Sequence, residues 1–260
     1  MTILPAGLDK ESLMSDLHIV SQFQSELDAI KAKIIKMGGL VEASIVGASA
    51  SLYNRDAELA EHVRASDAAI DTLEQQINDE AARVIALRSP NAEDLRLLLT
   101  VIKVSGNLER IADYSKNIAK RTRVLLELRS IDGSPAALRR MAREVELMLG
   151  DALNAYVQQD QALALSVIAR DEAVDQIYNT LFREFLTFMM EDPRNITACM
   201  HLHFIAKNIE RMGDHVTSIA EQVVFYTSGE KPTDERTKAD VTSSDAALSG
   251  MKPTWSTGAE

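Results

Sequence analysis

Eight carboxylates stand in a repeated arrangement along this chain. Asn107-Leu108-Glu109-Arg110-Ile111-Ala112-Asp113 recurs 101 residues later as Asn208-Ile209-Glu210-Arg211-Met212-Gly213-Asp214. Upstream stands a second acidic pair, Asp67 and Asp71, echoed 104 residues later by Asp171 and Asp175. Each pair reads acid, three intervening residues, Asp, which on a helix places both carboxylates on one face about 40° apart. Such pairs repel, at a cost of a few tenths of a kcal/mol per helix. A bound cation would remove that cost. Hard oxygen donors without nearby cysteines suit divalent or trivalent ions such as iron, Mg²⁺, Mn²⁺ or Ca²⁺ rather than structural zinc. The competing reading is a solvated acidic face, balanced locally by Arg110 and Arg211.

The elements that must position these residues are helices. Only 5% of residues are aromatic and there are just 6 prolines, while Ala and Leu are the most abundant residues and Glu, Ile and Arg are frequent, a helix-forming mixture. Ser89-Pro90, Ser134-Pro135 and Asp192-Pro193 each place an N-cap residue before proline at the first helical position. Asn54-Arg55-Asp56 and Gln158-Gln159-Asp160 break two further periodic stretches. Six helices follow, over about 12–53, 56–88, 91–129, 135–158, 161–191 and 194–227. They are expected to form two similar antiparallel three-helix bundles, an all-α internal repeat. The first bundle spans 12–130 and the second 134–228, with tails at 1–11 and 229–260; the polar C-terminal tail is expected to be disordered. Leu97, Val101, Val104, Leu108, Ile111 and Ile118 form the core seam of the third helix, and Ala198, Leu202, Ile205, Ile209, Met212, Val216 and Ile219 that of the sixth. Gly38-Gly39 and Gly47 in the first helix suit either close helix packing or a kink.

Register ties the acidic pairs together. Asp71 and Glu109 each lie 19 residues from Pro90, and Asp67 and Asp113 each 23. In an antiparallel hairpin equal counts mean equal heights. About Pro193 the same test gives 18 and 17 for Asp175 and Glu210, then 22 and 21 for Asp171 and Asp214, a mismatch of only ~1.5 Å. Each half should therefore gather four carboxylates. Measured against the seam of their own helix, Glu109 and Asp113 point away from the core, toward an outer patch.

Other residues carry weaker signals. Leu95, Leu98, Leu99 and Ile102 lie on the carboxylate side of the third helix and form a candidate partner surface, unless the other half-bundle covers them. His201, His203 and His215 have no counterparts in the first half; His215, next to Asp214, is the best candidate for an accessory ligand. Cys199 is a packing residue. The formal charge of −11 argues against nucleic-acid binding and against direct attachment to anionic lipid. No apolar run of 18 or more residues and no signal-like N-terminus is visible, so a soluble cytoplasmic protein is expected.

The duplicated Asn-x-Glu-Arg-x-x-Asp segments, with the upstream Asp-x-x-x-Asp pairs, resemble the PhoU family of bacterial phosphate-transport and phosphate-signalling regulators. The two-repeat plan covers about 12–227. The resemblance implies homodimeric, non-catalytic proteins with surface metal sites at Asp67, Asp71, Glu109, Asp113, Asp171, Asp175, Glu210 and Asp214. It also implies negative regulation of phosphate uptake and of the phosphate-starvation response, through contacts with the phosphate importer's ATPase subunit and a sensor histidine kinase. Membrane association would then be peripheral, through those partners. Ala112 departs from the frequent glycine of the motif, which Gly213 keeps. Two alternatives compete. A carboxylate-bridged di-iron oxidase needs inward Glu-x-x-His elements, and the sequence contains none; a purely structural helical scaffold leaves the duplicated acidic pairs unexplained.

Overall fold

The computed structural model describes residues 10–230 and 232, with side chains from residue 22 onward. The expectations for the two terminal tails therefore fall almost wholly outside the described residues. Among those residues the chain forms six α-helices: α1 (Lys10–Asn54), α2 (Ala57–Arg88), α3 (Ala92–Leu126), α4 (Ser134–Gln158), α5 (Gln161–Glu191) and α6 (Ile196–Ser228), with a 3₁₀ turn over Pro193–Asn195 before the last.

The repeat extends to the way helices begin. Asp56 accepts a hydrogen bond from the Leu59 amide at 2.9 Å, and Asp160 accepts one from the Leu163 amide at 3.0 Å. Each is preceded by a non-glycine residue in the left-handed region, Arg55 (φ 56°) and Gln159 (φ 55°). Two caps differ from the sequence reading. The side chain that caps α3 is Asn91, accepting from the Glu93 and Asp94 amides at 3.0 Å, while Ser89 closes α2 in the left-handed conformation. At α4, Ser134 already belongs to the helix, and Gly133 (φ 77°) provides the cap position. In both places the chain turns one or two residues away from the residue before proline.

Helices α1–α3 pack together as one three-helix unit and α4–α6 as a second. The units are joined along two antiparallel contacts, α3 against α6 and α1 against α4, so that buried residues from all six helices form one continuous core. Glycines set the α1–α4 approach: a Cβ on Gly38 would lie 2.5 Å from Leu153 Cδ1, and one on Gly150 3.3 Å from Glu42 Oε1. Gly47 does the same for α1–α2, facing Val63 Cγ2 at 2.7 Å. These glycines therefore serve close packing. By length and composition Gln22–Asn54 could cross a membrane, yet its Ile30, Ile34, Met37, Val41 and Ile45 are buried in this core.

Contact on both sides of α3 corrects the expected apolar partner surface. Leu98 is fully buried, Leu95 and Ile102 are half-buried, and only Leu99 is exposed. A face that points outward from one three-helix unit points inward in the six-helix molecule. These four residues do not form an open docking face.

The two aspartate caps sit in different halves and share no partner. Asp56→Ala and Asp160→Ala should each lower stability by about 1 kcal/mol, and the double variant should lose their sum to within about 0.5 kcal/mol. Urea unfolding of the four proteins measures this; a strongly non-additive double variant would show that the two hairpin turns are coupled.

Candidate functional site

The first-half carboxylates are brought together as the register requires. Asp67 and Asp71 on α2 face Glu109 and Asp113 on α3, close enough to perturb one another. The Asp71 carboxyl is pushed above its ordinary value by burial and then by the charge of Asp67, with Asp113 adding to the effect. Burial likewise raises Glu109, followed by the charge of Asp113 and a hydrogen bond between the two carboxyls. At their centre is a cation that the sequence comparison did not single out. Lys116 Nζ donates to Asp67 Oδ2 and lies 4.0 Å from Asp113 Oδ1. The hydrogen bond to Asp67 is the main influence holding the Lys116 ammonium above its usual range. Arg110 lies on the outer side, 3.5 Å from Glu109 and 3.9 Å from Asp113.

The expected outer patch is only partly outward. Asp67 is buried at 4% exposure, whereas Asp71 is exposed and Glu109 and Asp113 are half-buried. In the second half the burial is deeper: Asp171, Asp175 and Glu210 are all buried, with Asp214 half-exposed. The wheel angles were measured against the core of one half, and the second half and the neighbouring hairpin helix close over part of that face. Gly213 assists. A Cβ there would stand 3.1 Å from Asp171 Oδ1, so its absence lets α5 bring that carboxylate against α6. A lysine again serves as local cation, but from another position. Lys207 Nζ donates to Glu210 Oε1 at 2.9 Å and lies 4.9 Å from the centre of the Tyr178 ring.

Lys116 and Lys207 were hidden by the repeat itself. Their equivalents in the other copy are Thr217 and Gly106, so an alignment of the two halves discards both. The signal that finds them is helical spacing, since each lies three residues from a motif acid.

The two carboxylate groups flank the α3–α6 contact. There, equivalent residues of the two repeats meet: the Tyr114 and His215 rings are 5.7 Å apart. His215 Nδ1 is 2.8 Å from Asn107 Oδ1, which ties the first copy of the motif to the second. The candidate accessory ligand is thus engaged in the seam between halves. His201 lies against Arg121 at 3.4 Å, and burial followed by that charge lowers its pKa. His203 is packed among the Tyr178, Phe182 and Phe204 rings. Cys199 is buried, and burial raises its thiol, as a packing role requires.

As the side chains are placed, no three Asp, Glu, His or Cys donors among the described residues converge on one point in ligating fashion. The first group nevertheless has the chemistry of a cation site: four crowded carboxylates, two of them with raised pKa, and a buried Asp67 Oδ1 that accepts no hydrogen bond. Lys116 occupies its centre.

Comparison with known proteins places these features in a family. The model of the PhoU domain matches residues 34–122 and again 138–223, once per half. The chain is 44% identical over 226 residues to a phosphate-specific transport system accessory protein PhoU homologue of Caulobacter vibrioides, covering 87% of this chain and 98% of that protein. It is 43% identical over 234 residues to the homologue of Rhizobium meliloti, covering 88% and 97%. Among solved structures it is similar to PhoU from Pseudomonas aeruginosa, with a TM-score of 0.78 and 37% identity over 80% of this chain and all of that one. It is also similar to the phosphate transport system regulatory protein PhoU from Streptococcus pneumoniae, with a TM-score of 0.75 and 29% identity over 81% and 99%.

The raised carboxyls of Glu109 and Asp71 give a signed pH dependence. A carboxyl with a higher pKa folded than unfolded binds its proton more tightly when folded, so stability is lost as pH rises from the unfolded value through the folded one. Glu109→Gln removes one of the repelling charges. Its melting temperature should exceed that of the wild type at about pH 7, and the gain should vanish at about pH 3, where the carboxyls are protonated in both states. A variant equally or less stable at neutral pH would show that the group is not strained by its own charge.

Proposed function

The chain belongs to the PhoU family, and on that footing we propose that it is an accessory regulator of phosphate-specific transport. In this reading it is a cytoplasmic, non-catalytic adaptor, acting as a pair of identical copies. It restrains phosphate uptake and the phosphate-starvation response by contacting the importer's ATPase subunit and the sensor histidine kinase. One observation carries the reading: the family's domain occurs twice, with the Asn-x-Glu-Arg-x-x-Asp segment inside each match, and relatives named for the phosphate-specific transport system align over almost their whole length. A rigid six-helix body with one shared core suits a protein that works by presenting surfaces. The test is a pull-down of the two named partners by the purified chain. Binding of both is expected. If neither binds, the assignment to phosphate signalling is wrong, whatever the fold.

The same reading includes metal ions held by the two carboxylate groups, Asp67, Asp71, Glu109 and Asp113 in one half and Asp171, Asp175, Glu210 and Asp214 in the other. A hard cation would offset the burial and the mutual repulsion that together raise Asp71 and Glu109, and would meet the bare Asp67 oxygen. Lys116 supplies that neutralisation in its absence, so ion and ammonium compete for the same carboxylates. Lys116→Met should therefore lower the melting temperature in chelator, because Asp67 loses its buried counterion. It should also enlarge the rise produced by adding Mn²⁺, Mg²⁺, Ca²⁺ or ferrous or ferric iron. If none of these ions shifts the melting temperature of either protein, the metal reading fails and the lysines are the permanent counterions. Repeating the pull-down with Asp113→Ala/Asp214→Ala, with bound metal quantified, separates a regulatory ion from a structural one.

A further inference from the structure

Charge is distributed very unevenly over the molecule. From Lys120 to Arg143 the chain carries seven Lys and Arg against only Glu127 and Asp132, a net +5 within a chain of net −11. This stretch runs through the end of α3, the linker and the first turns of α4, so it wraps one end of the molecule. Arg55, just past α1, joins it by donating from Nη2 to the Leu126 carbonyl at 2.7 Å. Tyr53 joins it on the other side, with the Arg139 guanidinium 4.6 Å above the centre of its ring.

This end is concave, and its cations stand among the carboxylates of Glu61, Glu127, Glu144, Glu146 and Asp192. A groove of about 690 Å³ lies between the start of α2 and the end of α3, with Arg64, Lys120 and Arg123 beside Val124 and Leu126 and a single carboxylate, Glu127. A second groove of about 370 Å³ is lined by Tyr53, Ala136, Arg139, Arg140, Arg143 and Glu144, whose carboxylate is held by Arg170 at 2.8 Å. Between them a recess of about 70 Å³ adjoins both, through Tyr53 on one side and the segment from Leu125 to Arg129 on the other. Tyr53 and Val124 are 45% and 44% exposed, so each large groove offers an apolar contact next to its cations.

Local carboxylates absorb only part of the charge. Arg64 and Arg123 share Glu61, Arg129 reaches Asp192 at 3.7 Å, and Arg143 pairs with Glu146. Arg55, Lys120, Arg139 and Arg140 make no ion pair with any described residue. Nor is this end part of the duplicated plan. The positions equivalent to Lys120, Arg121 and Arg123 are Glu221, Gln222 and Val224, and those equivalent to Arg139, Arg140 and Arg143 are Ile35, Lys36 and Gly39. The carboxylate groups occur in both halves; the basic end occurs once.

We propose that this basic, grooved end is a docking surface for an acidic segment of a protein partner, one in which carboxylates alternate with apolar side chains. The guanidiniums of Arg140 and of Arg139, which stacks on Tyr53 and leaves its N–H edge without an ion pair, offer the fork geometry that carboxylates accept in bidentate fashion. Exposed Tyr53 and Val124 take up the apolar side chains between them. The overall negative charge repels extended polyanions such as nucleic acid or an anionic bilayer at long range, while a short acidic segment meets only the local field. The choice of partners for the test rests on the phosphate-signalling reading, and the surface itself does not.

The experiment measures binding of the full chain to the importer's ATPase subunit and to the cytoplasmic part of the sensor kinase. Wild type is compared with Arg139→Glu/Arg140→Glu and with Lys120→Glu, substitutions at exposed positions without ion pairs, with melting temperature confirming the fold. Binding of one partner should weaken about tenfold or more in the double variant and should weaken for the wild type on going to about 0.5 M salt. The other partner should be unaffected. If both partners bind wild type and both variants equally well, the docking inference is overturned and the phosphate-signalling reading stands. If neither binds wild type, that reading falls and the inference falls with it. Phosphatidylglycerol vesicles and duplex DNA serve as competing probes; binding to either that is lost in the double variant, with protein binding unchanged, overturns the acidic-segment proposal in favour of that surface.

Discussion

Antiparallel packing of α3 on α6 is the constraint from which most of the molecule follows. These helices carry the two copies of the repeated motif, and equivalent residues, Tyr114 and His215, meet across them. The bond between His215 and Asn107 fastens one motif copy to the other. Because the seam runs through the motifs, the two carboxylate groups lie on either side of it and inherit its rigidity. Because α3 is covered on both sides, its second apolar stripe, including fully buried Leu98, becomes core. The α1–α4 contact closes the other side of the junction, and the bare Cα atoms of Gly38 and Gly150 permit its close approach. Two repeats that each form a three-helix unit thus make a single cooperative body with one core.

Crowded carboxylates are unfavourable, and the structure meets that cost twice by different means. In the first half Lys116 reaches from α3 to the buried Asp67 on α2. In the second, Lys207 pairs with the buried Glu210 on its own helix. A cross-helix bridge depends on the spacing of α2 and α3, whereas an i,i+3 pair does not. Lys116 couples the first group to the α2–α3 packing, and Lys207, which also lies against the Tyr178 ring, couples the second to the α5–α6 packing.

Much of this was legible in the sequence, because its signals are local and periodic. Helix identities, the breaks at Asn54–Asp56 and Gln158–Asp160 and the hairpin register about Pro90 are set by neighbours in sequence, and the mutual influence of Asp71, Glu109 and Asp113 agrees with that register. Errors arose where a second element intervenes. The wheel position of Asp67 carries no sign of Lys116 on the neighbouring helix, and the outward angle of Leu98 refers to one three-helix unit, without α6. The caps at Ser89 and Ser134 were misplaced by one or two residues because neighbouring residues, Asn91 and Gly133, could also cap, and loop geometry decided between them. Sequence self-comparison carries a bias of its own: it finds what two copies share and hides single lysines such as Lys116 and Lys207.

What the copies do not share then becomes informative. A protein made of two equivalent halves presents two equivalent faces, and a partner that reads only shared features can bind either. The basic end breaks that equivalence, since Lys120, Arg123, Arg139 and Arg140 have no cationic counterpart in the other copy except Lys36 opposite Arg140. It lies where α1, α3 and α4 converge on the linker, the one region in which chain connectivity itself distinguishes the first half from the second. Exposed Lys120, Arg139 and Arg140 can diverge without disturbing either carboxylate group, whereas Arg121 packs on His201 and Phe204 of α6. Polarity can thus be added to a duplicated body at little cost to its fold. The seam between the repeats, where equivalent residues meet, cannot supply that asymmetry.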